Sequence, residues 1–119
     1  MLIWGGFDAS STAYGDGASY NPVLNTWAPI AAAGAPTARY HFPSVWSGSE
    51  MIVWAGSGTG VGKTGARYTP SAGGGSWTAM TTVGAPTGRS IHTGVWTGSQ
   101  MITWGGTIGA ASNFNTGGC

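Results

Sequence analysis

Charge is nearly missing from this chain: Arg39, Lys63, Arg67, Arg89, Asp8, Asp16 and Glu50 are the whole set among 119 residues. A net charge of +1 gives no basic footprint for a phosphate backbone, which excludes nucleic acid as a partner. Cysteine occurs once, at Cys119, so neither an intrachain disulfide nor a cysteine-rich metal site can form. No apolar run approaches the roughly 20 residues that span a bilayer as a helix. No secretory leader is visible, because Met1 already belongs to a repeated strand; in a piece of a longer protein that absence carries no weight. Helical periodicity is missing as well. The alanines at 31 to 33 look helical in isolation, but Pro29, Gly34 and Pro36 leave no room for two turns. What remains is glycine, at 23 positions, and tryptophan, at seven. That balance argues against disorder and suits an all-β chain with many tight turns.

The chain also repeats itself every 50 residues. Met1-Leu2-Ile3-Trp4-Gly5-Gly6 returns as Met51-Ile52-Val53-Trp54-Ala55-Gly56 and as Met101-Ile102-Thr103-Trp104-Gly105-Gly106. The 23 residues from Gly34 to Gly56 match those from Gly84 to Gly106 at 13 positions without a gap. A fixed period of this length marks stacked copies of one supersecondary unit, none of which can bury its apolar surface alone. Four short segments recur. The Met-Ile-x-Trp segment is apolar throughout, as in a strand covered on both faces. A second ends at Tyr20 and Tyr68, a third holds Trp27 and Trp77, and a fourth holds Val45-Trp46 and Val95-Trp96. The Ser47-Gly48-Ser49 and Thr97-Gly98-Ser99 turns then join that fourth segment to the next Met-Ile-x-Trp, at hairpin length. Four antiparallel strands per period is the habit of a β-propeller blade.

The glycine pair after a hydrophobic strand, the later tyrosine, and a tryptophan beyond it (Gly5-Gly6, Tyr20, Trp27) resemble the kelch repeat, over essentially the whole chain. The second copy departs with Ala55 for the first glycine and a longer step from Tyr68 to Trp77, both falling in turns. The expected fold is all-β, with about two and a half kelch-like blades of four antiparallel strands. A single partial propeller would then hold blade pieces at about 1–30, 38–80 and 88–119. In kelch-like order the Trp46 and Trp96 strand is innermost, the Trp27 and Trp77 strand outermost. Cys119 aligns with Arg67 and Ser19, where the third copy stops. Propellers close with about four to eight blades. A tryptophan left bare forgoes up to about 5 kcal/mol of burial, so an isolated monomer is not expected to be stable. The expected partners are remaining blades of a longer chain, or further copies of this one.

Gly56-Ser57-Gly58-Thr59-Gly60-Val61-Gly62-Lys63-Thr64 imitates a phosphate-binding loop. The pattern demands glycine where Ser57 stands and a helix afterwards, whereas Gly65 to Pro70 align with a strand. It reads as a blade loop. Arg39 and Arg89 occupy equivalent positions after Gly-Ala-Pro-Thr; with Arg67 they could suggest a carboxylate-binding cluster of the kind seen in sialidase-like propellers. A catalytic residue is needed once per ring and a structural one once per blade. These two arginines, with Trp4, Trp54, Trp104, Trp27, Trp77, Trp46 and Trp96, are therefore read as structural repeat residues, bridging blades through carbonyl hydrogen bonds. His41 aligns with Ile91, and His92 with Phe42, so the histidines are not copies of one feature. A copper site like that of galactose oxidase would need a crosslinked cysteine and cannot be matched to Cys119. Asp8 and Asp16 do not make an EF-hand calcium loop, and Asp16-Gly17 reads as turn chemistry.

No catalytic, metal or cofactor residue follows from the sequence, and no carboxylate pair for acid–base work is present. The leading expectation is a non-enzymatic module for protein or glycan binding. The resemblance implies long loops on one rim, making Asp8, Tyr14 and Lys63 the candidate contacts, and it suggests a secreted or surface-displayed bacterial protein. The alternatives are a piece of an oxidase- or glycosidase-like propeller with its active site on other blades, and a self-assembling structural ring.

Overall fold

A computed structural model describes residues 1–109 and 112–119. It contains no helix among these residues. The strands are β1 (Leu2–Trp4), β2 (Gly17–Asn21), β3 (Thr26–Pro29), β4 (Ser44–Trp46), β5 (Met51–Trp54), β6 (Gly65–Thr69) and β7 (Ser76–Ala79). They continue with β8 (Thr93–Trp96), β9 (Met101–Trp104), β10 (Thr107–Ile108), β11 (Ser112–Asn113) and β12 (Gly117–Gly118). Every pairing is antiparallel. A three-stranded sheet β1-β2-β3 is followed by a complete four-stranded sheet β4-β5-β6-β7 and a three-stranded sheet β12-β9-β8. The β10-β11 ribbon interrupts the third copy between β9 and β12. The all-β fold thus amounts to about two and a half blades.

Register reproduces the sequence period. Trp4 pairs with Gly17, Trp54 with Gly65 and Trp104 with Gly117. Tyr20 faces Trp27 and Tyr68 faces Trp77, with ring centroids 5.0 and 5.1 Å apart. The glycines are required where they stand: a Cβ on Gly65 would collide with the Val53 carbonyl and the Trp54 indole.

Alternation along β5 explains how the sheets stack. Met51 and Val53 point to one side, into a core with Trp4, Ile30, Ala66, Tyr68 and Trp77. Ile52 and Trp54 point to the other, into a second core with Val45, Ala55 and Met101. All four β5 residues are buried. The outer sheets cover only one face each. Met1, Ile3 and Trp27 stand exposed on one flank of the stack; Val95, Ile102 and Trp104 stand exposed on the other. These are the repeat positions of Met51, Val53 and Trp77, and of Val45, Ile52 and Trp54, respectively. One flank therefore carries the residue set that points back along the stack, and the other the set that points forward.

Of the seven tryptophans, Trp4, Trp54 and Trp77 are buried and Trp96 is half-buried. Trp27, Trp46 and Trp104 are 50, 50 and 59% exposed, Trp27 and Trp104 on sheets that lack a neighbour on one side and Trp46 on the edge strand β4.

Candidate functional site at one rim

The loops that follow β1, β5 and β9 share one rim with the segments leading into β4 and β8. Arg39 organises the first of these junctions. Its backbone serves the first sheet: its N–H donates to Tyr14 O at 3.2 Å, and its carbonyl accepts from Gly6 N at 2.9 Å. Its side chain serves the middle sheet. Nη1 donates to Thr64 O at 2.8 Å and Ala55 O at 3.1 Å, Nη2 to Thr64 Oγ1 at 3.1 Å, and Nε to Thr37 O at 2.9 Å. Arg89 repeats the pattern one period later. Its carbonyl accepts from Gly56 N, while Nη1 donates to Gly105 O and Thr116 O at 2.9 and 2.6 Å. Its guanidinium also lies 4.3 Å from the Phe114 ring centroid. Arg39 is fully buried with no carboxylate beside it among the described residues, and burial lowers its pKa from the usual guanidinium range to about 10. It stays protonated at neutral pH, its charge spread over carbonyl dipoles.

Above this frame lies a cluster of aromatic rings. Phe7 sits 4.6 Å from Tyr40 and 5.2 Å from His41, and Tyr40 sits 4.7 Å from His41, measured between centroids. Tyr40 is fixed by a two-way backbone bridge to Ser57 at 2.7 and 3.0 Å. His41 adopts a left-handed φ of 56°, which turns its ring outward, and its carbonyl accepts from Ile91 N at 2.9 Å. Phe7 and His41 are exposed and Tyr40 is half-buried; with Phe42 and Ser44 they border a shallow cavity of about 350 Å³.

The backbone here repeats but the side chains do not. Ile91 has the same left-handed φ (54°), and Ser90 bridges Thr107 as Tyr40 bridges Ser57. At those later junctions the rings are replaced by Ser57, Thr107, Ser90 and Ile91. Among the described residues the aromatic trio is thus present once, on a scaffold present more than once. Sequence reading missed it because its members lie 33 residues apart; listing the positions where the copies disagree would have marked all three.

The other sequence candidates fall as follows. Asp8 and Tyr14 come together, the tyrosine hydroxyl donating to Asp8 Oδ2 at 3.2 Å. Asp8 Oδ1 accepts from the Ser10 and Thr12 N–H groups at 2.9 Å, and the Thr12 bond leads in lowering the Asp8 pKa below the usual value. Lys63 is exposed on the corresponding loop of the middle sheet, its carbonyl accepting from Trp54 Nε1 at 3.0 Å. The one ion pair among the described residues joins Arg67 to Glu50 at 3.3 Å, so Lys63 pairs with neither aspartate. The chain runs from Lys63 into β6, a strand and not the helix a phosphate loop needs.

His92 takes the place in the third sheet that Phe42 takes in the middle one. Phe42 packs against Trp4 at 5.7 Å, and His92 packs edge-on to Trp54 at 5.3 Å. Both its ring nitrogens are buried without a hydrogen-bond partner. Burial, with the nearby Arg89 charge second, lowers its pKa from 6.5 to about 4. Among the described residues no three of His, Cys, Asp and Glu gather closely enough to hold a metal. Comparison with protein-family models and with curated proteins returned no match.

Proposed function

We propose that this chain is part of a kelch-like β-propeller acting as a non-enzymatic recognition module, and that the Phe7–Tyr40–His41 patch stacks on the sugar rings of a glycan. The observation that carries the reading is the single occurrence among the described residues of this aromatic trio, two of its rings exposed, on an otherwise repeating frame. Aromatic faces attract the apolar C–H faces of sugars, while the Tyr40 hydroxyl and His41 imidazole supply polar edges for sugar hydroxyls. Recognition groups on loops above rigid sheets leave stability and specificity separable. Asp8 and Tyr14 flank the patch by shaping the loop that carries Phe7. In this reading the open flanks are covered by further blades or by copies of the chain, and the protein works outside the cell or on its surface, in keeping with its kelch resemblance.

The test is a glycan array probed with the full chain, followed by titration of the strongest hit against Phe7→Ala, Tyr40→Ala and Lys63→Ala. The two aromatic variants are expected to lose at least about tenfold in affinity, each removing a stacking face. Lys63→Ala is expected to bind normally. A folded chain that binds no glycan, or one whose binding survives both aromatic substitutions, would refute the proposal.

A further inference from the structure

Backbone segments follow one another across the rim, each hydrogen-bonded to the next. Gly6 N donates to Arg39 O at 2.9 Å, and Tyr40 and Ser57 exchange bonds at 2.7 and 3.0 Å. Gly56 N then donates to Arg89 O at 2.8 Å, and Ser90 and Thr107 exchange bonds at 2.8 and 2.9 Å. The side chains presented in order are those of Phe7, Tyr40, Ser57, Ser90 and Thr107. Residues directly opposite in an antiparallel bridge face the same way, which aligns Tyr40 with Ser57 and Ser90 with Thr107. The Phe7 and Tyr40 rings pack together at one end, and Ser57 and Ser90 share a cavity wall in the middle. At the other end the Ser90 and Thr107 hydroxyls lie 3.4 Å apart. At about 4.8 Å per hydrogen-bonded step, the series extends over roughly 20 Å.

The second half of this series borders a hollow of about 180 Å³ between the middle and third sheets, with Ser57, Gly62, Ser90 and Thr107 in its walls and room for a pyranose ring. The loop that forms one wall is pinned. Val61 is buried, and its carbonyl accepts from Thr64 Oγ1 at 2.5 Å. Gly62 lies so close to Gly88 that a Cβ on Gly88 would strike the Gly62 backbone. The hollow offers hydroxyls where the aromatic end offers ring faces, and the bond from Ile91 N to His41 O ties the two halves together. No free cation serves either half among the described residues. Arg39 and Arg89 are buried with their guanidinium groups on carbonyls, and Lys63 borders neither cavity. An acidic sugar would meet only the Asp8 carboxylate, one residue from Phe7.

From this series we infer that the rim is one elongated cleft for a linear, neutral, β-1,4-linked oligosaccharide of the glucose type. The chain of sugars stacks on the Phe7–Tyr40–His41 end and hydrogen-bonds into the Ser57–Ser90–Thr107 hollow. Equatorial β-1,4 linkages make a flat, extended chain that can follow successive positions facing one way, whereas α-1,4 linkages coil and leave the line. Stacking supplies affinity, and the hydroxyls select for length and for the pattern of sugar hydroxyls. The inference rests on the recognition reading above and narrows it, from a glycan on a patch to a row of sugars along a cleft.

The probes are a β-1,4-linked glucose dimer and tetramer, titrated calorimetrically into the full chain, with an α-1,4-linked glucose tetramer and an oligogalacturonate tetramer for comparison. The β-linked tetramer is expected to bind at least about tenfold more tightly than the dimer and than either comparison tetramer. Phe7→Ala should weaken both lengths, whereas Ser90→Ala combined with Thr107→Val should remove most of the gain between them. Amide shifts in a ¹⁵N-labelled chain should reach Ser57, Ser90 and Thr107 with the tetramer and stay near Phe7, Tyr40 and His41 with the dimer. If the double variant does not fold, this map decides alone. Binding without length dependence, shifts confined to the aromatic end, or equal binding of the α-linked or acidic tetramer would overturn the cleft and leave the patch standing. So would silence from the β-linked probes when another glycan binds the chain. A folded chain that binds no glycan at all overturns both readings.

Discussion

Lowering the pH from about 7.5 to about 4.5 is expected to cost the fold about 2.5 kcal/mol through His92 alone, given a folded pKa of about 4 against an ordinary 6.5. Between those two values the unfolded chain binds a proton at His92 and the folded chain does not. Falling pH therefore favours the unfolded state throughout this window, and the loss levels off below about 4. Burial against Trp54 is the main cause, and the Arg89 cation adds to it. The repeat itself supplies the control, since Phe42 fills the equivalent place. His92→Phe is expected to remove this part of the acid dependence. It is also expected to raise stability at neutral pH by about 1–3 kcal/mol, because two buried nitrogens no longer go without partners. Urea unfolding followed by tryptophan emission across the pH range measures both quantities. A variant that keeps the wild-type acid slope, or that is less stable than wild type at neutral pH, would refute the reasoning.

Other substitutions probe the frame. Arg39→Lys should lower unfolding free energy by about 2–4 kcal/mol in urea titration, because one ammonium cannot serve Thr37, Ala55 and Thr64 together. A change under about 0.5 kcal/mol would show the fork to be dispensable. Gly75→Ala places a methyl against the Tyr68 ring at a φ of +74°, and thermal melting should register a loss of about 2–3 kcal/mol. Glu50→Gln breaks the exposed pair with Arg67, and the same melting assay should move by less than about 1 kcal/mol.

Sheet order and strand positions were legible because the period fixed them together. A tryptophan that must lie opposite a glycine, as Trp54 lies opposite Gly65, leaves little freedom of register. The arginines were legible in part. Their equivalence gave carbonyl partners, but only coordinates separate the backbone of Arg39, bound to the first sheet, from its side chain, bound to the middle one. The rim patch was hidden for a different reason. Phe7, Tyr40 and His41 meet through the left-handed turn at His41, a conformation uncommon outside glycine and costly for the β-branched Ile91 at the same place. Local preference pointed away from the turn, and tertiary hydrogen bonds impose it.

The two outer surfaces of the stack are unlike, and this difference gives it a polarity. A dyad would press Trp104 against Trp104, a pairing that neither internal junction contains. A unit of the same kind that covers the Trp104 surface also renews it at its own far side. Such addition never saturates by itself, and curvature that returns the last unit to the first is what brings it to a halt.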